Sequence, residues 1–398
     1  YEITYKNLND KIDACALFLK DKYKIAAGDR VATLAQNCVE IFIVQFACAR
    51  LRAIFLPMNW RLADQELDYI TSDASPKVVF SDERFFETAH SLSQRTGALS
   101  NELISADSEF SLAINECKNF VVKDPPRFDD IWHILYTSGT TGRPKGAQLS
   151  HGQNLLQCQG LGSEYSLTNE SVGLTYTPTF HASGLFMFSN PTLLQGGKTI
   201  LMRQFDAKAC LAIMKDADVK VTHTLAIPTN LLMIRNLDDF SEVNFDGLII
   251  GSGGMPVPVA LIEEFASHGA RIPQVWGMTE LCGVSTSLPA EDYLRKAGSC
   301  GPPLMNVEIS IIDSEKNHID KPDTVGEIVA RGPMVMRGYW GMEHLNDEFF
   351  IDDGWFRTGD AGKIDTDGYL TISGRWKDMY ISGGENVYPA EVEEIIYQ

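Results

Sequence analysis

Residues 130–151, DIWHILYTSGTTGRPKGAQLSH, run from an apolar stretch (131–136) through a loop of hydroxyls and glycines into a short AQL strand. Ser150, with Gln153 three positions on, then forms a capping box for a helix starting at 151. Within the loop, Thr137, Ser138, Thr140 and Thr141 supply hydroxyl donors, and Gly139, Gly142 and Gly146 leave backbone N–H groups open as an anion nest. Lys145 adds a mobile point charge. A Walker-type phosphate loop needs G-x-x-x-x-G-K-[ST] leading straight into a helix. Here Gly139 is followed by Pro144, Lys145 and Gly146, so that motif is not met. The segment still asks for an anion.

Outside this segment, 398 residues at 44% apolar content bury more than one core, as one large α/β unit or two to three subdomains. A net charge of −19 argues against a nucleic-acid footprint, so a bound polyanion must meet a local island of positive charge. The eight cysteines show no C-x-x-C spacing and no zinc or disulfide grouping, which points to a reducing cytosol. No apolar run approaches the ~20 residues that span a bilayer. The start, YEITYKNL, has neither the basic nor the apolar part of a secretory signal and no methionine, so it is expected to sit inside a longer natural chain.

Thr4 reads as an N-cap, and Leu8, Ile12, Cys15, Leu19 and Tyr23 recur at helical steps. DRVATLAQN, CVEIFIVQFACARLRA, AIFLPMN and KVVFSD then alternate strand, helix, strand and strand, as a parallel sheet with crossovers requires. VTHTLAIP (221–228), GLIIGSGG (247–254) and RIPQVWG (271–277) continue the pattern. From about residue 300, VEISIID, GEIVARG, GWFRTGD and GYLTISGR predict a small antiparallel barrel or sheet. Residues 93–110 are expected to form a mobile surface connection, and ENVYPAEVEEIIYQ a helix with Pro389 in its first turn.

YTSGTTGRPKG resembles the signature of the adenylate-forming superfamily: acyl- and aryl-CoA ligases, peptide-synthetase adenylation domains and firefly-type luciferases. ITYKNL, GDRVATLAQN and GGENVYPAEVEE extend the likeness along nearly the whole chain. It implies an α/β fold with a large N-terminal domain over 1–376: two parallel-sheet subdomains to about 300 and a small β-barrel over 301–376. A hinge and the start of a truncated C-terminal lid would occupy 377–398. The implied reaction takes ATP, Mg²⁺ and a carboxylic acid to an acyl-adenylate, then transfers the acyl group to CoA.

By motif position, the resemblance gives Thr137, Ser138, Gly139, Thr140, Thr141 and Lys145 to the β- and γ-phosphates. GSGGMP (251–256) resembles the adenine-side segment, placing Gly253 and Gly254 against a flat ring. WGMTE (276–280) implies Trp276 against adenine, with Gly277 and Met278 beside it, Thr279 on the α-phosphate and Glu280 toward Mg²⁺. Trp stands where Tyr is commoner, keeping the stacking surface without the phenol. Asp360 in WFRTGD has two oxygens for two ribose hydroxyls, while Ile372 and Arg375 in TISGRWKD complete the nucleotide side. Lys377 matches the hinge. The lid's adenylation lysine is expected beyond Gln398.

TPTFHASGLF (177–186) resembles the acid-side segment, with His181 between carboxylate, α-phosphate and a pantetheine tunnel. Amino-acid-activating relatives carry Asp where this chain has His181, so no ammonium anchor is offered. The implied acyl wall is Phe180, His181, Gly184, Leu185, Ile227, Leu281, Cys282 and Val284, which favours a fatty or aryl acid. Gly383 and Gly384 match the tunnel glycines, favouring CoA as acceptor. Alternatives are a carrier-protein loader, a luciferase-like oxygenase or a non-catalytic nucleotide binder. A homodimer stays open.

Overall fold

The computed structural model describes residues 1–378 except 97, 98, 106, 117, 118 and 138–142, together with the backbone of 380–382, 385–387 and 389. The first sheet contains β1 (Arg30–Leu34), β2 (Ile54–Pro57), β3 (Val78–Asp82), β4 (Ser100–Ile104), β5 (Ile131–Thr137) and β6 (Lys145–Ser150). Their order is β4-β3-β1-β2-β5-β6, parallel throughout except for the β5–β6 hairpin at one edge. Strands such as β3 are buried along their whole length, because apolar layers cover both faces of the sheet. The helices Tyr5–Tyr23 and Val39–Leu51 build one layer. The first begins where its cap dictates, with Asn7 N–H donating to Thr4 Oγ1 at 3.2 Å.

The second sheet repeats the plan. β7 (Val172–Thr175), β8 (Lys198–Leu201), β9 (His223–Ala226), β10 (Ile249–Gly253), β11 (Gln274–Met278) and β12 (Gly283–Ser287) adopt the order β12-β11-β10-β9-β7-β8. Here too one edge pair, β11–β12, is antiparallel. The small β unit holds β13 (Glu308–Ile312), β14 (Gly326–Arg331), β15 (Phe350–Ile351), β16 (Trp355–Ile364) and β17 (Leu370–Arg375) as a five-stranded antiparallel sheet. The long β16 pairs with β14 on one side and with β15 and then β17 on the other. Arg357 on β16 is tied to the buried Glu327 at 2.7 Å, a structural ion pair.

One core joins all three units: Leu135 and Ala147 from the first sheet, Trp276 and Leu281 from the second, and Ile328, Met336 and Phe356 from the small one. Segment Arg337–Trp340 also runs along the free edge of β6. Gln148 N–H donates to Gly338 O, Arg337 N–H to Gln148 O, and Trp340 N–H to Gly146 O.

Two expectations change. Residues 93–110 are no loose connection, because they carry the edge strand β4, parallel to β3 from Val78↔Ser100 to Asp82↔Ile104. Its polar lettering hides the strand: Glu102 is buried, but Lys22 Nζ, 2.9 Å away, and the Tyr23 hydroxyl satisfy it. Residues 385–387 form a strand paired with 380–382. Beyond it only Pro389 is described, so the rest of the expected terminal helix lies outside the described residues.

Among the described residues no helix is long and apolar enough to cross a membrane. The seven described cysteines are free, and Cys117 lies outside the described residues. Burial pushes the thiols of Cys38, Cys158, Cys210 and Cys300 up to about 12.

Candidate active site

The strand ends of the first edge hairpin meet the turn of the second. Thr137 closes β5 and Lys145 opens β6, and the two are register partners, so the loop between them springs from a fixed base. Glu280 stands in the 3₁₀ turn Thr279–Leu281 that links β11 to β12. Thr137 Oγ1 donates to Glu280 Oε1 at 3.3 Å, and the Tyr339 hydroxyl donates to the same oxygen at 2.8 Å. Burial and the Glu280 carboxylate hold the Tyr339 phenol far above its ordinary pKa, so it stays a donor. The Glu280 backbone carbonyl accepts from Met336 N–H at 2.7 Å, fixing the turn from the other side.

Lys145 is only 8% exposed. Its ammonium lies 4.5 Å from the centroid of the Phe349 ring and 5.2 Å from that of Tyr339. Among the described residues it forms no ion pair. Aromatic faces compensate a buried cation only in part, so this charge is poised for an anion. The loop positions Ser138, Gly139, Thr140 and Thr141 lie outside the described residues, as do Gly383 and Gly384.

A second group forms around Trp276, 7% exposed, whose Nε1 donates to Asp360 Oδ2 at 2.8 Å. Arg375, the register partner of Asp360 across β16–β17, reaches Oδ1 at 3.0 Å. Burial raises the Asp360 pKa, and Arg375 and then the Trp276 N–H pull it back. Gly253 and Gly277 are obligatory. A Cβ on Gly253 would lie 2.3 Å from Val275 O, and one on Gly277 1.9 Å from Gly283 O. Gly254 comes next with φ +81°, exposed beyond the end of β10. Met278 and Thr279 are half-buried beside them, and Ile372 is half-buried on β17 opposite Gly362. Lys377 sits exposed in the 3₁₀ turn Trp376–Asp378.

On the acid side, residues 183–187 form a single π-helical turn, a deviation that tends to mark functional sites. Gly184 is what permits it, since a Cβ there would lie 2.2 Å from Pro178 O. His181 heads this turn with its ring exposed, and its backbone carbonyl accepts from Gly184 N–H at 3.1 Å. Loss of hydration among its neighbours, helped by the Arg61 guanidinium, lowers its pKa to about 4. The imidazole is therefore neutral at pH 7. Phe180 packs edge-on against Trp60, with ring centroids 5.9 Å apart.

The remaining wall residues divide. Leu185, Leu281 and Cys282 have no exposed surface and belong to the shared core, so as the protein stands they present nothing to a cavity. Val284 packs in a separate cluster with Leu161, Tyr165 and Met187, while Ile227 is exposed ahead of helix Pro228–Arg235. Tyr339, Phe349, Trp60 and Arg61 were not foreseen. Tyr339 carried one legible sign, an aromatic pair between glycines in RGYWG (337–341).

Two α/β layers whose edge hairpins converge, with glycines at strand ends and a buried ammonium that has no counter-ion among the described residues, define a protein built to hold a polyanionic small molecule at the carboxyl ends of its strands. Residues 1–340 match the family described as AMP-binding enzyme, and the chain belongs to that family. It is 35% identical over 396 residues to a feruloyl-CoA synthase from an Amycolatopsis species, covering 99% of this chain and 78% of that one. With an indoleacetate–CoA ligase from Aromatoleum aromaticum it shares 34% over 405 residues, 99% of this chain and 78% of the other. Among solved structures, ATP-bound MatB from Rhodopseudomonas palustris superposes with a TM-score of 0.89 at 32% identity, covering 99% of this chain and 77% of that one.

Proposed function

We propose that the protein is an ATP-dependent, AMP-forming acid–CoA ligase acting on an aryl or fatty acid. The observation that carries this reading is the buried Lys145 ammonium, without a carboxylate partner among the described residues, set beside Glu280 and Thr137 where a triphosphate tail would lie. A carboxylate oxygen attacks the α-phosphorus, the bond to the β-phosphate oxygen breaks, and pyrophosphate leaves. The CoA sulfur then attacks the acyl carbon and AMP departs. A free carboxylate is a poor electrophile, and the mixed anhydride divides one hard step into two.

Lys145 neutralises charge developing on the leaving group, and Thr279 contacts the α-phosphate. Neutral His181 orients the acid. Asp360 takes the ribose hydroxyls, with Trp276, Gly253 and Gly254 framing the base. Glu280 suits Mg²⁺, an ion bound through one or two carboxylates plus substrate phosphates. Its Oε1 is occupied by two neutral donors, and among the described residues no cluster of three His, Cys, Asp or Glu offers a protein-only cage. Lys377 is the hinge between a large domain ending near residue 376 and the start of a C-terminal lid. The enzyme works in the cytoplasm.

The reading is tested by acid-dependent exchange of pyrophosphate into ATP with the intact protein and a wide panel of acids. Exchange with one hydrophobic acid class is expected, and its absence across the panel refutes the reading. Swapping CoA for a phosphopantetheinyl carrier protein then tells a CoA ligase from a carrier loader.

Trp276→Phe keeps the stacking surface and removes the N–H that Asp360 accepts. The Asp360 pKa then climbs further, and since only the carboxylate takes two ribose hydroxyls, the acid limb of kcat/KM for ATP shifts to higher pH. KM for ATP rises about tenfold, the worth of one charge-assisted hydrogen bond, with kcat little changed. An unmoved acid limb removes this role. The stability term has the matching sign. A raised acid pKa favours the folded state below the unfolded value near 3.8, and that contribution is lost as pH rises through the folded value.

A further inference from the structure

Asn37 closes the stretch GDRVATLAQN, in the bend that joins the carboxyl end of β1 to helix Val39–Leu51. Its buried side chain is saturated. Nδ2 donates to Thr177 O at 3.0 Å and to Met202 O at 3.1 Å, while Oδ1 accepts from Thr179 N–H at 2.9 Å and from the Thr179 hydroxyl at 3.1 Å. A primary amide offers two N–H donors and two acceptor sites, so nothing is left over. Turning the amide over would set its oxygen against two carbonyls and its nitrogen against two donors, which fixes a single orientation.

These partners all belong to the other sheet. Thr177 follows β7 and Met202 follows β8, so one side chain from the end of β1 spans two strand ends of the second layer. Thr179 stands in the turn that delivers His181, whose N–H donates to Pro178 O at 3.1 Å. The far end of the same segment is held separately: Ser189 Oγ donates to Gly184 O at 2.7 Å and lies 2.8 Å from Thr175 Oγ1. His181 is therefore an exposed ring between two buried anchors. Neighbouring contacts between the sheets bypass the segment. Gln36 Nε2 donates to Gln204 Oε1 at 3.0 Å, and Arg203 pairs with Asp82 at 2.7 Å.

We propose that Asn37 is a positioning residue of the acid site: its amide locks the turn at residues 178–181, and through that turn the His181 ring, to the end of the first sheet. The proposal rests on the ligase reading, in which His181 orients the acid. Three of the four bonds go to Thr177 and Thr179, within four residues of His181, and the fourth sets their place relative to the end of β8. The groups around the nucleotide, Trp276, Asp360 and Arg375, share none of these bonds. Loss of the Asn37 amide thus loosens one side of the cleft and leaves the other as it is.

The test is pyrophosphate exchange with the intact protein, using the acid that supports the fastest wild-type exchange in a panel that includes 3-phenylpropenoic and decanoic acids. Asn37→Ala is expected to lower kcat/KM for the acid by about 100-fold, the cost of a reacting group misplaced by ~1 Å, with KM for ATP within about twofold of wild type. In a His181→Ala background the same substitution is expected to cost no more than about threefold, because residues that act as one unit are not additive. Gln36→Met, which removes a contact between the sheets away from residues 177–181, should leave kcat/KM for the acid within about twofold. Additive losses with His181→Ala overturn the proposal, as does an equal rise in both KM values or an equal loss in Gln36→Met. If Asn37→Ala does not fold, Thr179→Val carries the test: it removes one of the four bonds, is expected to cost about fivefold, and must show the same dependence on His181. Exchange at the wild-type rate in Asn37→Ala overturns the positioning role alone. No wild-type exchange with any acid of the panel overturns the ligase reading beneath it.

Discussion

Replacing Lys145 with methionine lowers acid-dependent pyrophosphate exchange by about 100-fold or more, while CoA attack on a supplied acyl-adenylate keeps its rate. The size of the loss comes from the position. Preorganised donors to a developing oxyanion are each worth ~3–4 kcal/mol in a water-poor site, and this ammonium, 8% exposed, has no counter-ion among the described residues to share it. Methionine keeps the stem packed between Phe349 and Tyr339, so the melting temperature should stay within a few degrees. Any loss of rate then reports the charge and not a collapsed wall. Pyrophosphate is the leaving group only of the first half-reaction, which is why the second is spared. An equal fall in both halves would show that Lys145 serves the fold or the acyl group instead.

Glu280→Gln is expected to cost roughly 100-fold in the same exchange, with a higher Mg²⁺ concentration needed for half-maximal rate. The substitution is close to isosteric. The amide oxygen still accepts from Thr137 and Tyr339, so the turn between β11 and β12 keeps its shape. The negative charge disappears, and a metal held by one carboxylate and phosphate oxygens depends on it for several kcal/mol of charge stabilisation. The Tyr339 phenol, relieved of a neighbouring anion, should also titrate at lower pH, observable by its ultraviolet absorbance. An unchanged Mg²⁺ titration would leave Glu280 a purely structural acceptor.

Much of this arrangement could be read from the letters, for a physical reason. Parallel strands buried on both faces write themselves as continuous apolar runs, so VATL, IFLP and VVFSD were legible, as was the Ser150–Gln153 capping box, present at 2.6 and 3.2 Å. The edge strand β4 was not legible, because Glu102 is buried by partners 79 and 80 positions away in sequence. The motifs around Thr137, Trp276, Glu280 and Asp360 were legible locally, but the partners that hold these side chains in place were not. Tyr339 reaches Glu280 and Trp276 reaches Asp360 across 59 and 84 positions. Periodicity cannot announce such pairs. The acyl wall was the least legible part, since apolar residues serve core and pocket alike. Leu185, Leu281 and Cys282 went to the core.

The strip Arg337–Trp340 bears on how the molecule can be dissected. It hydrogen-bonds along the outside of β6 while Tyr339 reaches across to Glu280. A fragment cut near residue 300, where the texture of the sequence changes, would bare an unsatisfied strand edge and invite intermolecular stacking. The smallest portable cassette therefore extends past Trp340. In this architecture a late stretch of the chain locks the first sheet, so the visible border between subdomains is a seam of assembly and not a place to sever.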